Sequence, residues 1–403
     1  MFNYIEKTLQ PYLTYFPYFL IAFVSSFILT PIVGYLARKL KIVDLPATLR
    51  KPTDTTKKTR ITKNVVPRGG GLAVVIPTLI FLIISVGIDK QIVVIILGIL
   101  VLAIGGILDD RYGLKSKHQI FFQILASLIV VSGGISIDSI QSPFDTSINL
   151  RSLVLPFSIG SSIYSIALPA DLITIIWILI MINAINWIFG IDGLGEGVSF
   201  ISFLSILLVS VKSDNNITAL ISVFLAGGIL GFIPFNISPA KIFSGTTGDI
   251  VYGFLIAVLS ILGGVKVSTS VIVLMIPILD MIWVMIGRIN KEGLRSIFDI
   301  FHVTTIGDDT HLHHRLIKLG LSIAQVTLVE WMAVFVCALI AFITADLPKV
   351  TIITIICIIV LMSFIFISIL LKRGVNLKKK NLLRRETVKK KTSGETPESR
   401  YAY

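Results

Sequence analysis

Residues 105–114, GGILDDRYGL, set two adjacent carboxylates, Asp109 and Asp110, at the end of an apolar, helix-like run that begins at Gln91. Such a pair at the mouth of a membrane helix repels itself, resists desolvation and sits at the unfavourable end of the helix dipole. A bound divalent cation relieves all three, and a cation beside carboxylates points to phosphate chemistry. A solvated helix end is the alternative for the pair taken alone.

Three further stretches could share that chemistry. NAINWIFGIDGLGEG (183–197) puts Asn183 and Asn186 on one helix face and Asp192 in a glycine-rich turn. That suits a nucleotide-facing loop, or else amide hydrogen bonding between helices and a plain turn. FNISPAKIFSGTTGD (235–249) carries Asn236, Lys241 and a small-residue turn before an apolar run. It reads as an anion seat lacking the complete phosphate-loop pattern, or as a re-entry turn. HLHHRL (311–316) gathers His311, His313 and His314, three of the five histidines, beside Arg315. With no HExxH and no cysteine partner, it suits phosphate or nucleotide contact better than zinc.

The elements that must position these residues belong to a membrane. The 403 residues are 54% hydrophobic and 15% charged, with mean hydropathy +0.90, whereas soluble domains carry about a quarter charged residues. Cys337 and Cys357 lie in apolar runs without CxxC spacing and read as packing residues. Eleven apolar runs are long enough to span: 17–36, 70–88, 91–108, 119–137, 172–189, 197–211, 217–235, 250–265, 269–287, 324–344 and 350–371. The first reads as a retained span, because the basic ARKLK follows it rather than precedes it.

All but six of the 36 lysines and arginines fall on one set of alternate loops; the six are Lys7, Lys90, Arg151, Lys212, Lys266 and Lys349. By the positive-inside rule that set is cytoplasmic, and it holds every polar cluster above. The expected fold class is therefore all-α: a polytopic membrane helix bundle of about eleven transmembrane helices, N-terminus outside and C-terminus cytoplasmic. Residues 1–371 form the membrane domain, with its functional loops facing the cytoplasm, and 372–403 a basic, flexible tail. The net charge of +13 reads as topology and attraction to anionic lipid, not nucleic-acid binding. The Lys- and Thr-rich stretch 45–64 reads as a basic loop at the lipid surface. A transporter is disfavoured, because the polar residues gather at one face rather than at midplane and no inverted repeat is evident.

Taken in order, VPRGGGLAV (65–73), LDDRYGL (108–114), NAIN (183–186), GIDGLGEG (190–197), FNISPAKIF (235–243), PILD (277–280) and HLHHRL (311–316) resemble the polyprenyl-phosphate N-acetylhexosamine-1-phosphate transferase family. HLHHRL looks more like its GlcNAc-1-phosphate initiators than its phospho-MurNAc-pentapeptide translocases. The resemblance implies transfer of a sugar-1-phosphate, expected to be GlcNAc-1-phosphate, from a UDP-sugar to polyprenyl phosphate with release of UMP. The implied partners are UDP-sugar, polyprenyl phosphate and membrane lipids, in the inner (cytoplasmic) membrane, with a homodimer left open. It also implies Mg²⁺, with Mn²⁺ as an alternative, at a site where Asp109 and Asp110 are catalytic and metal-binding. Asn186, Asp192 and Asn236 would face the nucleotide, and His311, His313, His314 and Arg315 the sugar or phosphates.

Two positions depart from the family pattern: Thr246 and Phe189 stand where it usually has acids. Asp249, one helical turn from Thr246, is the expected substitute metal ligand. A catalytically silent relative that binds lipid phosphate or nucleotide is the competing expectation.

Overall fold

A computed structural model describes residues 10–45, 65–87, 89–141, 147–159, 162–263, 267–293, 309–344 and 349–392. The stretch expected as a basic surface loop therefore lies, apart from Leu45, outside the described residues.

The chain runs α1 (Phe16–Lys39), β1 (Val43–Asp44), β2 (Val66–Pro67), α2 (Leu72–Val86), α3 (Lys90–Tyr112) and α4 (Ser116–Ser132). Four short strands follow, β3 (Ser139–Gln141), β4 (Ser147–Asn149), β5 (Leu153–Ile159) and β6 (Ser162–Leu168). Then come α5 (Ala170–Ile188), α6 (Leu194–Lys212), α7 (Asn216–Asn236), α8 (Gly245–Leu262), α9 (Val267–Val273) and α10 (Met275–Glu292). The last helices are α11 (Leu312–Lys318), α12 (Ile323–Ile343) and α13 (Lys349–Thr392).

Several helix starts carry side-chain caps. Asp89 accepts from the Ile92 amide at the start of α3, Asn215 from Thr218 at α7, and Ser322 with Gln325 forms a capping box at α12. Gly113, at φ +66°, ends α3 directly after the acid pair and its neighbours.

Among the described residues, eight helices are long and apolar enough to cross a membrane, or nine if α9 and α10 count as one span bent by 75°. The molecule is thus a polytopic, mostly helical membrane protein. The runs expected at 70–88 and 119–137 are the shorter apolar helices α2 and α4. The run at 269–287 is broken at Leu274 rather than straight. α13 continues helical through Thr392, into the basic stretch set apart above as a tail; Lys, Arg and Leu are good helix formers. The stretch 138–171 holds two antiparallel strand pairs, β3 with β4 and β5 with β6.

α8 is the hub, with 89% of its apolar window buried against 17% for α13. Glycines let it and its neighbours approach closely, as small residues do in bilayers. A Cβ on Gly98 of α3 would overlap the Phe254 ring, one on Gly106 the Thr247 backbone, and one on Gly253 the backbone of α5 at Ile182. α7 meets α1 the same way, Gly227 and Gly231 lying under the Phe19 and Phe23 carbonyls.

Candidate functional site

The Gly106 contact seats the first turn of α8 against the end of α3, beside both acids. Asp110 Oδ1 accepts from the Thr246 amide at 2.9 Å, and Oδ2 from the Thr247 amide at 3.3 Å and hydroxyl at 2.9 Å. The anion seat read in SGTTGD is thus filled by the protein's own carboxylate, placed where the exposed amides and dipole of α8 favour negative charge. Gly245, at φ +75°, makes the approach: a side chain there would strike Asp110.

Arg68 completes the clasp, its Nε donating to Asp110 Oδ1 at 2.9 Å and its terminal nitrogen to Thr246 Oγ1 at 3.4 Å. It is held there because β2 pairs with β1, Phe243 N bonds Pro67 O, and Gly70 N and Gly71 N bond the carbonyls of Phe243 and Ser244. Burial works against the guanidinium charge, but the carboxylates of Asp110, Asp44, Asp109 and Asp249 outweigh it and hold the Arg68 pKa above its usual value. Asp109 has its own donors: the Leu114 amide at 2.8 Å and Gln119 Nε2 at 2.7 Å on Oδ1, and the Thr246 hydroxyl at 2.6 Å on Oδ2.

A second group of loops adjoins the first. Asn236, buried at the end of α7, accepts from Gly193 N at 2.8 Å and donates to Ile242 O at 2.9 Å. It therefore ties the GIDGLGEG turn to the segment leading into α8. Asp192 Oδ2 accepts from Ala240 N at 3.1 Å and reinforces the tie. Lys241 is exposed beside it. Asn183 donates to Gln123 of α4 at 2.9 Å, an interhelical bond, while Asn186 is half-buried one turn nearer the helix end.

The histidines close the ring. His313 packs on Gly190, where a Cβ would collide with its imidazole, so HLHHRL lies against the glycine turn. His311, His313 and His314 are mutually in ring contact, His311 and His313 being stacked at 5.5 Å. Burial, and then His311, holds the His314 pKa below the usual imidazole value, with Asp309 pulling the other way. A hydrogen bond from Lys318 holds Asp309 low in turn. Arg315 faces α13, bonding the Thr310 carbonyl at 2.6 Å and Ser368 Oγ at 3.1 Å and lying over the Trp283 ring.

Sequence reading did not single out Arg68, Gln119, Thr247, Asp280, Trp187 or Arg288. Arg68 and Asp280 had a visible signal, lying in the matched stretches VPRGGGLAV and PILD. Their surroundings become visible only through tertiary contact: Asp280 meets His311 across 31 residues, and Arg288 lies 4.8 Å over the ring of Trp187.

The donors do not suit a magnesium ion in this arrangement. A hard cation takes carboxylate oxygens and waters, and three of the four oxygens of Asp109 and Asp110 already accept two protein donors each, one of them a guanidinium, which leaves Asp109 Oδ2 alone with a lone pair to spare. Thr246 offers a hydroxyl already spent on Asp109. Asp249 is buried near Arg68 but does not join the pair: among the described residues no three His, Cys, Asp or Glu side chains are grouped to hold a metal. Phe189 fills an apolar slot between Gly195 and Tyr252.

Fold and loops together define an integral membrane protein whose charged and imidazole side chains gather on loops joined end to end, around a carboxylate pair clamped to a helix N-terminus. The pattern of glycosyl transferase family 4 matches residues 92–264. The chain is similar, at 31% identity over 79% of its length and 81% of the relative's, to a Bacillus subtilis protein named "probable undecaprenyl-phosphate N-acetylglucosaminyl 1-phosphate transferase". It is 28% identical, with the same coverage, to the decaprenyl-phosphate N-acetylglucosaminephosphotransferase of Mycobacterium leprae. It is 24% identical to the phospho-N-acetylmuramoyl-pentapeptide-transferase of Caldanaerobacter subterraneus, over 73% of this chain and 88% of that one. The chain belongs to glycosyl transferase family 4.

Proposed function

We propose that the chain transfers GlcNAc-1-phosphate from a UDP-sugar to polyprenyl phosphate at the cytoplasmic face of the membrane. A lipid phosphate oxygen attacks the phosphorus bearing the sugar, the bond from that phosphorus to the UMP oxygen breaks, and UMP leaves with the electron pair. One phosphoanhydride is made as another is lost, so positioning and charge stabilisation carry the catalysis. The observation that carries the reading is the similarity to GlcNAc-1-phosphate transferases along most of the chain, with the matched motifs joined into one set of loops.

In this reading Asp109 and Asp110 border the reacting phosphates. His311, His313, His314 and Arg315, with Lys241, serve the phosphates and sugar. Asn183, Asn186, Asp192 and Asn236 shape the nucleotide loop. The basic loops support a cytoplasmic orientation and, with α2, α4 and the bent α9–α10 pair, eleven passes. No step is routed through a metal.

The test is purified protein in nanodiscs, incubated with undecaprenyl phosphate and a panel of UDP-sugars, with UMP release as the readout. Release with UDP-GlcNAc alone supports the proposal; none with any donor overturns it. A second reading, a silent relative that binds nucleotide or lipid phosphate, is favoured by Thr246 closed onto Asp109 and by the apolar packing of Phe189. UDP-sugar binding without exchange of labelled UMP would select it.

A further inference from the structure

PILD (277–280) carries an acid to which no role was given, and the bend at Leu274 brings it under HLHHRL. Asp280 on α10 is 3% exposed and His311 5%. Asp280 Oδ2 lies 2.8 Å from His311 Nδ1, and Oδ1 accepts from the Leu312 amide at 2.8 Å. One carboxylate thus grips both the imidazole and the first turn of α11. A carboxylate only accepts, so the hydrogen of the neutral ring must sit on Nδ1.

Rotation of the ring is blocked as well. Trp187 meets it edge to face at 5.6 Å, Arg288 lies over that indole, and His313 stacks on it at 7°. Nε2 is the ring's remaining polar atom, and among the described residues it has no hydrogen-bond partner. A buried imidazole fixed at one nitrogen and available at the other is arranged to present a lone pair, or when protonated an N–H, to a ligand.

We propose that Asp280 is the positioning residue of His311, fixing the Nδ1–H tautomer so that Nε2 accepts the proton of a phosphate P–OH on the donor or the lipid and, once it carries that proton, donates it back to a phosphate oxygen. The assignment of that phosphate rests on the transferase reading; the tautomer does not. The charged groups around the ring are Asp280 itself, His313 and His314 on α11, and Arg288 across Trp187. Glu330 on α12 lies within electrostatic range of Asp280, and Asp309 and Lys318 act on His314.

With five histidines in the chain, ¹⁵N-histidine labelling in nanodiscs and solid-state NMR resolve the ring directly, His311→Gln identifying its signals. The neutral ring of the wild type should carry its hydrogen on Nδ1 and leave Nε2 bare. Asp280→Asn, whose amide can donate to Nδ1, should convert the ring to the Nε2–H tautomer, and Asp280→Glu should restore the first form in part. In the UMP-release assay Asp280→Asn should lower kcat roughly 100-fold with KM within twofold and alter the acid limb of the pH profile, as loss of a histidine's carboxylate partner does elsewhere. A wild-type Nε2–H tautomer, or an unchanged ring in Asp280→Asn, overturns the proposal even if wild-type turnover is normal. Inactive wild type with the expected tautomers overturns only the transferase reading.

Discussion

Replacing Arg68 by alanine removes the one guanidinium bonded to Asp110 and leaves that carboxylate, 1% exposed, among protein atoms. Breaking a buried ion pair from one side costs about 3–5 kcal/mol, chiefly because the surviving charge loses its partner. Asp110 keeps the two amides and one hydroxyl of Thr246 and Thr247, which places the expected loss at the low end, about 3 kcal/mol. Asp110→Asn should cost less, about 2 kcal/mol, because Arg68 still faces Asp44, Asp109 and Asp249. If the two groups act on each other as the 2.9 Å contact requires, the double variant should fall short of additivity by at least about 1.5 kcal/mol. Reversible unfolding by SDS titration in mixed micelles, on all four proteins, reads the coupling. Additivity to within about 0.5 kcal/mol would refute the clasp, since the pair would then be two neighbours rather than one unit.

Thr246→Asp should create stoichiometric Mn²⁺ binding, seen by electron paramagnetic resonance, that the wild type lacks; wild-type binding abolished by Asp109→Asn would contradict the donor argument. The lowered His314 pKa means that the unfolded chain binds this proton first, so stability is full above about pH 6.5 and is lost as pH falls towards the folded value. His314→Gln should flatten that slope in thermal unfolding between pH 7 and 5. Gly106→Ala should cost roughly 1–3 kcal/mol by forcing α3 off the Thr247 backbone; unchanged melting would show that the approach is looser than described.

The membrane class and the clustering of polar motifs on loops were readable because each is a local property: hydropathy over a span, a run of glycines. Asp109 and Asp110 were visible for the same reason, being costly where they stand. What was not visible is who satisfies them. Arg68 lies 42 residues from Asp110 and Thr246 137 residues from Asp109, and no periodicity encodes such pairings. The expectation that the pair needs a positive partner followed from its isolation in the sequence; the fold adds donors that the sequence did not show, from the first turn of α8 and from Arg68. The bend at Leu274 escaped notice because each half of the run is as apolar as a straight span. The hairpins of 138–171 were passed over because a membrane chain directs attention to its helices.

Asp110 reaching across to the start of α8 means that one residue serves two tenants. Any substitution there loosens the first turn of the most buried helix before it alters a reaction, so lost turnover in such a variant reports on assembly and chemistry at once. The same arrangement separates presence from purpose. A descendant of this fold could abandon catalysis and still keep both acids as the fastener between two helices, because Thr246 and Thr247 hold them whether or not a reaction follows.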